Sequence, residues 1–124
     1  MQRFIITASL SLALFSCTST TVQNEIKTGN WFAVGEYDAG NGFIEKSEKN
    51  LQKMSARFSE KKVNYGAYLA GYEQALLFYC EPKNAYILGA KGLTYRNICD
   101  RYPRGWAFYQ DWISGRQSRA ASMF

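Results

Sequence analysis

The side chains here that could do chemistry are a few carboxylates and three cysteines, at positions 17, 80 and 99. Asp38, Glu73 and Asp111 each lie in an aromatic-rich stretch. In such a setting one carboxyl group can be kept protonated as a general acid while another acts as base or nucleophile, as in glycan hydrolysis. The plainer reading is a surface carboxylate or one bonded to a helical neighbour, and it is adopted here. The sequence contains no histidine. That removes Ser-His-Asp and Cys-His catalysis and every metal site built on imidazole. No phosphate-cradling G-x-x-x-x-G-K-[ST] or G-x-G-x-x-G segment occurs. No catalytic residue, metal ligand or cofactor is therefore assigned.

The cysteines say more. Arg3 precedes the uncharged run "FIITASLSLALF", Phe4 to Phe15, and then come Ser16 and Cys17. A basic start, a short apolar run and a small residue form the layout of a secretory signal peptide, too short for the ~20 residues of a membrane span. "LFSC", Leu14 to Cys17, resembles the lipobox of bacterial lipoprotein precursors, with Phe15 a bulky choice for the middle position. That resemblance implies cleavage before Cys17 and acylation there by diacylglycerol and palmitate-type chains. The alternative is a soluble secreted protein with a free Cys17. Lipidation leaves Cys80 and Cys99 as an even pair, expected to form a disulfide in an oxidising compartment. Closing that loop is worth ~3 kcal/mol in the chain-entropy model. Thr18, where inner-membrane lipoproteins carry Asp, points to the periplasmic face of the outer membrane.

Cleavage would leave 108 residues, one small domain, with fourteen Lys and Arg against ten Asp and Glu. This mild positive balance suits anionic lipid or peptidoglycan, and an exported chain is not expected to meet nucleic acid. Residues 18 to 30, "TSTTVQNEIKTGN", are mostly polar and are expected to form, with Cys17, a flexible tether over 17–30.

Periodicity then predicts an all-α domain of about four helices over 31–118, stapled by one disulfide, with a C-terminal tail over 119–124. A short helix runs from Trp31 to Gly40. A second covers Phe43 to Lys62, with Ile44, Leu51, Met54 and Phe58 on one face and a basic stripe, Lys46, Lys49, Lys53, Arg57 and Lys61, on another. A third carries Tyr65, Tyr68, Leu69, Tyr72, Leu76 and Tyr79 on one side and ends at Glu81-Pro82. A short helix near Asn84 to Gly89 and an irregular loop follow. A final helix opens at Pro103 and turns Trp106, Tyr109, Trp112 and Ile113 inward, with Phe108 at the edge; "RQSRAASMF" is expected to fray.

An aromatic, two residues and then a glycine recur in Phe32 to Gly35, Tyr68 to Gly71, Tyr86 to Gly89 and Trp112 to Gly115. Interior helical glycine costs about 1 kcal/mol against alanine, so four such positions predict close backbone approaches.

The blocks "GEYDAGNG", "YLAGYEQALLFYC", "NAYILGAKGLTYRNIC" and "FYQDWISGR" resemble a family of small Gram-negative envelope lipoproteins known as a domain of unknown function. The shared segments are G-x-x-D-[AG]-x-x-G (Gly35, Asp38, Gly42), Y-x-x-G-Y-x-x-[AG]-L-x-x-Y-C (Tyr68, Gly71, Tyr72, Tyr79, Cys80) and G-x-x-Y-x-x-x-C (Gly92, Tyr95, Cys99), with Gly89 just before. Ala75 and Ala85 stand where glycine is expected. The resemblance implies an exported, lipid-anchored, disulfide-bonded domain and supplies no activity. The expected role is a non-catalytic binding or structural module, meeting an envelope protein or peptidoglycan through Lys46 to Lys61 and Arg101, Arg104 and Arg116. A periplasmic inhibitor or immunity protein is the alternative, and a carboxylate hydrolase the remoter one. The sequence leaves the oligomeric state open.

Overall fold

A computed structural model describes residues 17–59 and 61–123, with side chains from Thr21 onward. The expected signal peptide lies outside the described residues. Six helices are present and no strand among those residues: α1 (Cys17–Thr28), α2 (Trp31–Gly40), α3 (Glu48–Phe58), α4 (Tyr65–Tyr79), α5 (Pro82–Ala90) and α6 (Gly105–Ser122). Among the described residues no helix is long and apolar enough to cross a membrane.

Local chemistry sets the boundaries. Asn30, Ser47 and Asn64 cap α2, α3 and α4, their side-chain oxygens accepting the N–H of Ala33, Asn50 and Ala67. Pro82 opens α5, where no N–H is needed. Gly42, at φ +74°, stops α2: its N–H reaches Ala39 O and that of Phe43 reaches Asp38 O. This paired closure needs a left-handed residue, hence glycine. Gly29 ends α1 in the same way, with bonds to Ile26 O and Glu25 O.

Two helix pairs make the frame, α2 with α4 and α5 with α6. In each, glycines let the backbones touch. A Cβ at Gly35 would overlap the carbonyl oxygen of Tyr68, and one at Gly71 would overlap that of Phe32. The second pair repeats this reciprocity: Gly89 meets the carbonyl of Trp112, and Gly115 that of Tyr86. The four aromatic-x-x-Gly segments named above are therefore used, two per pair, whereas Tyr37 to Gly40 and Tyr102 to Gly105, which fit the same pattern, take no part in these contacts. Around the first pair Ile26, Trp31, Val34, Leu51, Tyr68, Tyr72 and Leu76 are almost wholly buried; Ala85, Tyr95, Ile98, Cys99 and Phe108 extend the core toward the second.

Several expectations need correction. Residues 17–28 are not a flexible tether but a helix docked on the domain. Ile26 is fully buried and Val22 packs against the same core, so this face of the segment is held against α2 and α3. The second helix begins at Glu48 and not at Phe43. Residues 43 to 47 leave the helical path, and Ile44 is 62 % exposed. The last helix starts at Gly105, after successive turns through residues 97 to 105. Its inward residue is Phe108, 3 % exposed, while Trp106 is 72 % exposed. The 119–124 tail is helical through Ser122, and Arg119 donates to Ala90 O at the end of α5 (3.4 Å).

Candidate functional site

Two polar clasps hold the irregular segments. Asp38, 3 % exposed on α2, accepts on Oδ2 from Tyr68 Oη (2.7 Å) and from Lys46 Nζ (2.6 Å). Tyr68 Oη in turn accepts the N–H of Lys46 (3.0 Å), and Tyr72 Oη donates to Phe43 O (2.8 Å). The strap from 43 to 47 is thereby tied to α2 and α4. Tyr95 repeats the device: its hydroxyl donates to Asp100 Oδ1 (3.1 Å) and accepts the N–H of Cys99 (3.1 Å). Burial pushes the Tyr68 and Tyr95 phenols well above their ordinary range, against the opposing pull of the backbone N–H each accepts. Tyr72 is pushed up to about 12, again by burial, with the nearby Arg101 guanidinium acting the other way. These phenols are neutral ties between chain segments.

The family-motif residues sit almost entirely in this frame. Besides the four clasping glycines, Gly42 lies under Tyr79, where a Cβ would come within 2.6 Å of the hydroxyl, and Gly92 lies under the Arg119 guanidinium. Lys46, expected in the basic helical stripe, lies outside the helix. It is the half-buried partner of Asp38, because the strap brings it back over α2. Lys61 is likewise spent, donating to Thr28 O (3.3 Å). Of the stripe, Lys49, Lys53 and Arg57 remain on the outward face of α3, all exposed.

Arg101 stacks on Tyr72 (5.5 Å) beside Glu45 (3.7 Å), and Arg116 stacks on Trp112 (5.1 Å). Arg96, which the sequence did not single out, lies over Phe43 (5.2 Å) and donates to Gly42 O (3.2 Å). Only the contact between Arg96 and the end of α2 could have exposed it. Arg104 and Arg116 are both exposed and make no ion pair among the described residues, and of the two only Arg116 lies over a ring.

The three candidate carboxylates are not assembled. Asp38 is engaged as above, and Glu73 and Asp111 are exposed on α4 and α6. None lines any of four well-formed clefts among the described residues. Those residues also contain no group of three Cys, Asp or Glu side chains placed to hold a metal ion.

The largest of those clefts, about 670 Å³, opens beside the disulfide. Cys80 and Cys99 are joined, the pair expected from the sequence, tying the end of α4 to the loop before α6. Leu77 of α4 and Trp106 of α6, 61 % and 72 % exposed, both line the cleft, as does the buried Phe108. Pro82 and Pro103, the two prolines of the chain, line it as well. Sequence reasoning missed this site because it assigned Trp106 to the core.

The family model described as protein of unknown function DUF2799 matches residues 30–117. That span opens on the Asn30 cap of α2 and takes in both clasped pairs, leaving α1 outside. No curated protein and no solved structure matches the chain.

Proposed function

We propose that this chain, which belongs to the DUF2799 family, is a lipid-anchored, non-catalytic binding module of the bacterial cell envelope, held at the periplasmic face of the outer membrane through Cys17. The observation that carries the binding role is the cleft beside the Cys80–Cys99 bond, the largest of the four, where Leu77 and Trp106 both stay exposed, Trp106 the most exposed ring among the described residues. Large apolar side chains grouped at one concavity cost solubility and are the usual mark of a contact surface. The dispersal of the carboxylates supports a role without catalysis.

The anchor reading rests on the order of residues 3 to 17 and on the pairing of the other two cysteines with each other. Its physical form differs from a loose leash. A twelve-residue helix extends ~18 Å, and α1 begins at Cys17 and is fixed to the domain at Ile26. Such an anchor sets the orientation of the cleft relative to the bilayer as well as its distance. Several acyl chains at ~0.8 kcal/mol per methylene make the attachment durable.

Fractionation tests the proposal. The wild-type protein should sediment with outer membranes and incorporate labelled palmitate, and Cys17→Ser should be unlabelled and soluble in the periplasm. An unlabelled wild-type protein in the cytoplasm would overturn it.

A further inference from the structure

We propose that the cleft beside the disulfide binds a single anionic amphiphile, a fatty-acid-like molecule with one acyl chain and a carboxylate head. The inference rests on the binding role given above and names its ligand class. Three observations select this chemistry. The walls offer hydrocarbon, rings and sulfur: Leu77, Pro82, Phe108, Trp106 and the Cys80–Cys99 bridge. Proline has no N–H, and both prolines of the chain lie here, so an extended peptide would leave backbone groups without partners where an alkyl chain needs none.

The charges of the lining have one sign to spare. Glu81 is drawn onto Lys83 (3.0 Å), whereas Arg104 is exposed and unpaired among the described residues. A guanidinium at the edge of an apolar trough complements a carboxylate on the end of an acyl chain. In the same wall α6 begins without a capping side chain and with no acid in its first turn, so its field adds to that of Arg104.

The test uses the full-length protein carrying Cys17→Ser, so that anchoring and ligand binding are read separately. Sodium dodecanoate is titrated by calorimetry below its micellar concentration, beside dodecyltrimethylammonium and a short apolar peptide with a free C-terminus. Dodecanoate should saturate at one molecule per chain. Arg104→Glu should weaken it by about tenfold, as for loss of one charged contact, and Leu77→Arg should abolish it. Both positions are exposed, so both variants should melt like the parent.

A chain brominated near its end should quench fluorescence in the parent and not in Trp106→Phe, which reads the site without altering the charge. Absence of saturation, equal affinity for the cationic amphiphile, tighter binding of the peptide, or indifference to Leu77→Arg would each overturn the assignment. None of those results would bear on membrane attachment through Cys17.

Discussion

The α-carbon of Gly71 rests against the carbonyl oxygen of Phe32, and no side chain fits between them. Gly35 and Tyr68 return the same contact from the opposite helix, and α5 and α6 repeat the exchange through Gly89 and Gly115. Backbones this close can make Cα–H to oxygen contacts, each worth ~0.5–1 kcal/mol, which offset part of the entropic cost of helical glycine.

Gly71→Ala is therefore expected to destabilise by about 3 kcal/mol or more, since the methyl must displace backbone and not a pliable side chain. Gly40→Ala is the matched control: nothing lies within 4 Å of the added methyl. It should leave stability unchanged or raise it by up to ~1 kcal/mol. Urea melts of the two variants give the comparison, and equal loss in both would show that helix propensity, and not the clasp, governs these positions.

Removing Asp38 should cost more than removing either partner's contact alone. Asp38→Ala strands the Tyr68 hydroxyl and leaves Lys46 without its counterion, an expected loss of ~3 kcal/mol, the low end because Lys46 can swing toward water. Tyr68→Phe should cost ~1–3 kcal/mol. The double variant should fall well short of the sum, and strict additivity in a double-mutant cycle would contradict the clasp.

Stability should decline in alkali. Unfolded tyrosine ionises near pH ~10, whereas burial holds Tyr72 up to about 12 and raises Tyr68, Tyr79 and Tyr95 as well. A raised folded-state pKa gives stability that is complete below the unfolded value and lost as pH climbs toward the folded one. Each such phenol contributes a slope of up to ~1.4 kcal/mol per pH unit. Chemical denaturation from pH 9 to 12 should show the decline, less steep in Tyr72→Phe. A flat profile would mean that these hydroxyls reach water.

Reduction should lower the melting temperature, by the equivalent of ~3 kcal/mol for this loop. The bond joins the end of α4 to the loop that leads into α6. Hydrogen exchange should therefore rise first in α5 and α6, with the clasp of α2 and α4 still protected. Uniform loss of protection would show that the two pairs do not separate.

The helical class, the disulfide and the glycine pattern could be read from the residues because each is carried by local spacing or by parity. The partners could not. Which glycine meets which carbonyl is set by pairing far along the chain, and Lys46 looked like one of a stripe until the strap returned it to Asp38. Helix α1 escaped notice because only Val22 and Ile26 mark its buried side in a polar segment. Trp106 and Phe108 exchanged places because the turn through Cys99 to Gly105 fixes the rotation of α6, and nothing within that helix does. The cleft was hidden for the same reason.

Intact-mass analysis of the protein recovered from the envelope tests the central claim most directly. A chain that begins at Cys17 and carries the added mass of diacylglycerol and an amide-linked acyl group is the predicted result. A chain that begins at Met1, or a processed one with an unmodified Cys17, would contradict it.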